Sequence, residues 1–407
     1  MENSNSKILN INGGITAPKG FLASGISAGI KKNGNTDIAL IFSDKPSSAA
    51  GIFTLNKVRG HSLDLCDKNL KDGNARCIFI NSGNANACLG PSGLNDALLI
   101  TEECAALLNI PATEVLTGST GVIGHPLPMN NVLTGIKKAH SELKYTGGTD
   151  AAKAIMTTDT YIKEAAVSFE LNSNTVTIGG MAKGSGMIHP NMATLIGVLT
   201  TDAKISAEFL KIILKNTADK SFNRISVDGD TSVCDKILIL ANGMSDASEI
   251  KPETDEAELF ILALEIISIK LAKMIAADGE GATKLIEVNI KNAKSSDDAH
   301  KAAKAIANSP LVKTAFFGED ANWGRILTAV GYSGADFNPN TTTITIGPLL
   351  LFSKGLAIPF DENTAKNVLQ KKDITVNVDF GTGTYDTTVW TCDLSHKYID
   401  INANYRT

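Results

Sequence analysis

The sequence predicts an α+β fold, with layered mixed and antiparallel sheets and covering helices, and three observations carry that expectation. Strand-length apolar runs alternate with helical periodicity through most of the chain. The final third holds "TTTITIG" (341–347), "LLLFSKG" (349–355) and "ITVNVDFGTG" (374–383), whose alternation suits adjacent antiparallel strands. Helical segments accompany these runs as covering elements, so a layered α+β arrangement is preferred to a doubly wound parallel sheet.

Taken in order, "DIALIFSD" (37–44) and "ARCIFINSG" (75–83) read as strands, a helix follows near 93–109, and strands recur near 164–171 and 175–181. The apolar stretch Leu195-Ile196-Gly197-Val198-Leu199 begins another. Amphipathic helices are expected at 206–222, 254–277 and 295–308, the last two opening on "KPETDEAE" and "SSDDA", whose polar and acidic residues suit helix N-termini. No low-complexity linker or short repeat interrupts the series. A subdomain boundary is expected around 280–295, with a C-terminal α/β subdomain from about residue 285.

A chain of 407 residues can bury a large core, and its 43% hydrophobic and 20% charged content is that of a globular protein. Net charge is −5, from 38 basic and 43 acidic residues without a long like-charge block, which points away from nucleic acid and membrane surfaces and toward a small-molecule partner. Cys66, Cys77, Cys88, Cys104, Cys234 and Cys392 form no CxxC pair, and the histidines show no HxxxH or HExxH spacing, so no metal site is expected. "VDGD" (227–230) offers two carboxylates without a third ligand. Scattered cysteines and the absence of a secretory pattern in "MENSNSKILNINGGITAPKG" lead to the expectation of a cytoplasmic protein.

The segment "KGSGMIHPNMATLIGVLTTD" (183–202) sets a threonine, Thr194, between a glycine-punctuated turn and a buried strand. A threonine hydroxyl is a poor nucleophile without a base, and a threonine that begins a chain has one in its own α-amine. Cutting the Ala193–Thr194 bond would expose that amine. An N-to-O acyl shift by the hydroxyl, followed by ester hydrolysis, makes the cut, and Gly184, Gly186 and Ala193 leave room for it. A β-branched residue opening a strand is the plainer alternative.

"KGSGMIHPNMAT" resembles the autocleavage segment of the ArgJ family, the glutamate N-acetyltransferases also called ornithine acetyltransferases. "NSGNANAC" (81–88), "STGVIG" (119–124) with "LPM" (127–129), "MTTDT" (156–160), "SFNRISVDGDTS" (221–232), "DGEGATK" (278–284), "FGEDANWGRI" (317–326) and "INANYRT" (401–407) resemble further family blocks, in family order. The resemblance implies a DmpA/ArgJ-like fold with N-terminal-nucleophile autoprocessing into an α chain, residues 1–193, and a β chain, residues 194–407, assembled as α2β2. It implies acetyl transfer from N2-acetylornithine to glutamate, with no cofactor and with acetyl-CoA as a co-substrate in some members.

By the same resemblance Thr194 is the nucleophile of both cleavage and transfer. Thr120 and Gly121 supply the oxyanion hole, one a hydroxyl and the other an unobstructed backbone N–H. Thr158, Lys183, Thr194, Glu280, Asn402 and Thr407 contact substrate, with Thr157 the near alternative to Thr158. Lys183 would neutralise an α-carboxylate and Glu280 hold an ammonium group. His189 receives no catalytic role. Two stretches depart from the family: Val233-Cys234 stands where Thr-Asn is usual, and "HSLDLC" (61–66) replaces a small, proline-containing run. Two other readings remain at this point: an N-terminal-nucleophile hydrolase or aminopeptidase, and an uncleaved amino-acid binding protein.

Overall fold

The computed structural model describes residues 7–189 and 195–404. The chain divides into two compact units, one comprising Met1–Gly184, Pro190–Asn223 and Thr231–Ala272, the other Ser185–His189, Arg224–Asp230 and Lys273–Thr407. Mixed sheets with helices against them make the class α+β.

In the first unit the described strands are β1 (Leu9–Ile11), β2 (Phe21–Ile26), β3 (Ile38–Phe53), β4 (Asn74–Asn84), β5 (Val115–Val122), β6 (Lys163–Leu171), β7 (Asn174–Lys183), β8 (Ile196–Thr201) and β9 (Lys236–Ala241). They form one sheet in the order β1-β6-β7-β8-β9-β3-β4-β5, with β2 paired to β3. β4–β5 and β8–β9 run parallel, and the other pairs are antiparallel.

Successive residues of a strand point to opposite faces, and here both faces are covered. Ile38 and Leu40 of β3, with Cys77 and Phe79 of β4, join a cluster containing Ile100 and Cys104 of the helix Pro91–Leu108 and Val132 and Ile136 of the helix Met129–Ser141. Their neighbours Ala39, Ile41, Ile78 and Ile80 join a second cluster with Ala151, Ala152 and Ala154 of the helix Gly148–Ala154. Each fully buried Ile, Leu or Phe contributes about 1.5–3 kcal/mol, so the two faces together dominate this unit's stability.

The strand expected at 37–44 is longer than its apolar run. β3 continues to Phe53 through Pro46, with a register shift between Phe42 and Ser47 in its pairing to β4. A proline offers no N–H to a ladder, and the irregularity places it where no partner needs one. Beyond the shift, Ser48–Phe53 pairs with β9 instead.

The described strands of the second unit are β10 (Leu285–Ala293), β11 (Thr343–Ile346), β12 (Leu349–Ser353), β13 (Leu356–Ala357), β14 (Asp373–Asp379) and β15 (Tyr385–Cys392), in the sheet order β13-β12-β11-β14-β10-β15. The strands expected in the C-terminal third are antiparallel neighbours, β11 pairing with β12 and with β14, and the sheet is mixed because β10 and β14 run parallel, in register from Leu285↔Asp373 to Lys291↔Asp379. Parallel neighbours need a long crossover, and the helices and the β11–β12 hairpin between them provide it.

This sheet is covered on one face. Ile286, Val288 and Ile290 of β10 pack with Ile374, Val376 and Val378 of β14 and with Ala299, Ala302, Ala303 and Ile306 of the helix Ser296–Asn308, spaced as one helical face. Ser295 caps that helix by accepting the Asp298 N–H at 3.1 Å. The opposite face is polar, where Asn289 donates to Asn377 at 3.1 Å and accepts from the Thr388 hydroxyl at 2.7 Å. Among the described residues no helix is long and apolar enough to cross a membrane.

The two faces of β10 make a paired test. Ile290→Ala, at a fully buried site, should lower stability by about 2–5 kcal/mol in a reversible denaturant titration. Lys291→Ala removes only a half-exposed 2.8 Å ion pair with Asp386 and should change it by less than about 1 kcal/mol.

Candidate active site

Ala193, Thr194 and Thr407 lie outside the described residues, so the elements around them define what can be said. β8 opens at Ile196, whose register partner on β7 is Lys183 and on β9 is Lys236. Lys183 therefore closes β7 directly opposite the start of the strand that follows the nucleophile segment.

Thr120 and Gly121 end β5, opposite Ser82 and Gly83 of β4, at the point where the parallel register breaks. Gly121 has φ 131°, and a Cβ there would stand 2.4 Å from the Gly83 carbonyl carbon. No side chain fits, so the backbone at this position is bare by necessity. Side-chain amides hold the break in place: the Ser119 hydroxyl donates to Asn81 at 2.7 Å, Asn81 donates to the Asn84 carbonyl at 2.9 Å, and Asn84 donates to the His125 carbonyl at 2.8 Å. Thr120 is almost fully buried. The backbone at Thr120 and Gly121 is thus held by a fixed set of hydrogen bonds.

Lys183 is 8% exposed, and among the described residues its ammonium has no carboxylate within ion-pair distance and no hydrogen-bond acceptor. Its nearest counter-charge is Asp159, in the "MTTDT" block, whose carboxylate accepts from the Lys163 ammonium at 2.8 Å, the Gly184 N–H at 2.7 Å and the Thr157 N–H at 2.9 Å. Burial alone would raise the Asp159 pKa, but Lys183 and Lys163 outweigh it and hold the carboxyl well below its usual range. Thr157 and Thr158 are both half-buried beside it. Sequence reasoning singled out this block for its threonines and passed over the aspartate; a solvated and a buried carboxylate look alike in sequence.

A second, half-buried lysine was also missed. The Lys31 ammonium donates to the Thr36 carbonyl at 2.8 Å and the Met156 carbonyl at 2.7 Å, and burial, with Lys183 nearby, lowers its pKa to about 8. Asp235, preceding Lys236, is buried with Oδ2 unpartnered, and desolvation pushes its carboxyl well above the usual range.

In the second unit Glu280 is 7% exposed in the loop before β10. Its N–H donates to the Ser185 carbonyl at 3.0 Å, and its carboxylate accepts from Asn402 at 2.7 Å. A Cβ at Gly186 would fall 2.3 Å from the Glu280 carboxyl carbon, so this glycine is needed for space. The glycines flanking Glu280 are closely approached by the chain itself: Cys392 Sγ against Gly279 and the Tyr398 backbone against Gly281. Structure thus joins Glu280 and Asn402.

The "VDGD" motif has a different use. Asp228 accepts the Met187 N–H at 2.6 Å, the Ile188 N–H at 2.8 Å and the Tyr398 hydroxyl at 3.2 Å. It thereby clamps the turn at Met187 and Ile188, where Met187 holds a left-handed φ of 55° that disfavours a side chain. His189 packs in the same unit with Nδ1 3.1 Å from the Ser226 hydroxyl, and burial with Lys304 nearby lowers its pKa to about 4.

The two departures in sequence meet β5 and the end of β4. Cys66 Sγ donates to the Thr117 carbonyl at 3.0 Å, and Lys236 Nζ donates to the same carbonyl at 2.8 Å. Cys234 Sγ lies 3.2 Å from the Ala85 carbonyl, and burial pushes its thiol up to about 12. Both therefore act on packing beneath β5 and β4, and neither is a thiolate nucleophile.

The sequence profile of the ArgJ family matches residues 22–407. The chain is similar to the arginine biosynthesis bifunctional protein ArgJ of Caldanaerobacter subterraneus subsp. tengcongensis, 50% identical over 98% of this chain and 99% of that protein. The protein of the same name from Symbiobacterium thermophilum is 49% identical over 97% of this chain and 99% of its own. Among solved structures, the crystal structure of arginine biosynthesis bifunctional protein argJ from Bacillus halodurans is 41% identical and covers 51% of this chain and 97% of that one, with a TM-score of 0.49. On the extent and identity of these sequence matches, the chain belongs to the ArgJ family.

Proposed function

We propose that the chain is a self-cleaving acetyltransferase of arginine biosynthesis that moves acetyl from N2-acetylornithine to glutamate. The observation that carries this reading is Lys183: a buried ammonium with no ion pair or hydrogen bond among the described residues, fixed opposite the start of the strand that follows Thr194, suits an amino-acid carboxylate. Names of relatives half identical to this chain support the pathway and a bifunctional enzyme.

The Thr194 hydroxyl attacks the Ala193 carbonyl carbon, the C–N bond breaks to free the Thr194 amine, and water hydrolyses the ester, leaving a carboxylate on Ala193. Residues 1–193 and 194–407 then persist as α and β chains, paired as α2β2 in the cytoplasm. In transfer, the α-amine takes the hydroxyl proton as oxygen attacks the acetyl carbonyl, and Thr120 with the Gly121 N–H receives the oxyanion. The proton passes to the departing ornithine amine, and the glutamate amine then takes acetyl from the threonine ester. Thr158, Lys183, Glu280, Asn402 and Thr407 are the substrate residues the family resemblance implies, Lys183 suited to a carboxylate and Glu280 to an ammonium group. Neither a metal nor a cofactor has a role, and acetyl-CoA serves as the donor of the second activity.

Three measurements test this reading. Thr194→Ala should remain a single 407-residue chain on a denaturing gel and exchange no acetyl between N-acetylornithine and glutamate; cleaved, active protein from this variant would sink the assignment. Because the α-amine must be unprotonated, kcat/KM for N-acetylornithine should rise about tenfold per pH unit and level off above about 7.7–8.0. Asp228→Ala, which frees two N–H groups of the cleavage turn, should slow maturation by about tenfold or more, read as the lifetime of the uncleaved chain.

A further inference from the structure

In the first unit neither Lys183 nor Lys31 makes an ion pair among the described residues. Asp159 is occupied by Lys163, Gly184 N–H and Thr157 N–H. Asp37, fully buried, accepts the N–H groups of Ala28, Ile30 and Lys31 at 2.7, 2.7 and 3.0 Å. Asp235 is displaced toward its neutral form by burial. Lys183 has no acceptor among the described residues, and Lys31 meets only two backbone carbonyls, leaving one of its three donors.

Lys31 is also placed where a reacting molecule would be. Its Cγ stands 3.0 Å from the position a Cβ would take at Gly83, the register partner of Gly121 at the end of β5. Its ammonium touches the carbonyl of Met156, the residue that opens the "MTTDT" block. Its charge acts directly on that of Lys183. One lysine stem thus links the oxyanion strand, the substrate threonines and the carboxylate-binding lysine. A half-buried and a buried ammonium group that repel one another, beside the attraction Asp37 and Asp159 give Lys31, are stabilised further by a ligand bearing two negative charges.

We propose that Lys31 is a specificity-determining residue that, beside Lys183, binds the second carboxylate of a dicarboxylic amino-acid acceptor. The proposal rests on the acetyl-transfer reading above and adds the group that tells glutamate from amino acids with an uncharged or cationic side chain. Lys183 takes the α-carboxylate common to donor and acceptor. Lys31 takes the side-chain carboxylate that only the acceptor has.

The test uses full-length, self-cleaved enzyme in steady-state transfer from N-acetylornithine, where ping-pong kinetics report each half-reaction as its own kcat/KM. Lys31→Gln keeps an N–H donor for the two carbonyls but removes the charge. It should lower kcat/KM for glutamate relative to that for N-acetylornithine by at least about tenfold, and Lys31→Arg should restore most of the ratio. Equal losses in both half-reactions, or no loss in either, overturn the role of Lys31. A measurement on unaltered enzyme guards against a variant that does not fold: the dicarboxylate glutarate should inhibit at least about tenfold more strongly than the monocarboxylate butyrate, and equal inhibition overturns the two-cation recess. Failure of the acetyl-transfer reading itself would look different, since unaltered enzyme would then acetylate no glutamate at all.

Discussion

A single buried carboxylate organises the first unit's share of the functional residues. Asp159 ties the loop after the helix Gly148–Ala154 to the first residue of β6 and to the residue just beyond β7, by three short contacts with no solvent on either partner of the ion pair. Such a pair contributes little net stability when formed, because desolvation offsets the attraction, yet losing one member costs about 3–5 kcal/mol. Its effect is geometric: with the carboxylate ionised by its lysines, the end of β7 and the threonine block cannot drift apart, and Lys183 stays opposite Ile196.

Much of the fold was legible because buried strands and amphipathic helices carry their own periodicity. Strands at 75–83, 164–171 and 175–181 and helices at 206–222, 254–277 and 295–308 agree with the structure to within a few residues. What local pattern does not encode is partnership. The extension of β3 through Pro46 depends on β9 receiving it, and the parallel β10–β14 pair depends on what the intervening helices leave adjacent. Short elements such as β1, β2 and the helix Gly148–Ala154 likewise follow from packing.

The site divides in the same way. Thr120, Gly121, Lys183 and Glu280 were reached through blocks of sequence that resemble a family, and the geometry adds reasons for them: a forbidden Cβ at Gly121, an unpaired ammonium at Lys183, a carboxylate resting on Gly186. Asp159, Lys31 and Asp228 gave no comparable signal, since their roles lie in which backbone groups they meet across 25, 125 and 41 positions of chain. Motif reading gave Asp228 neither a metal nor any other role, because the N–H groups it binds are distant in sequence.

The edges of the second sheet bear on how the protein behaves when crowded. At one end β13 is only two residues long, and at the other β15 meets an isolated bridge between Ile225 and Trp390 with Arg224 bonded to Thr387. An open ladder several residues long would invite another copy to add a strand and propagate. A two-residue stub at one rim and the bridge at Trp390 on the other shorten the ladder that could template such growth, while helices cover the apolar face.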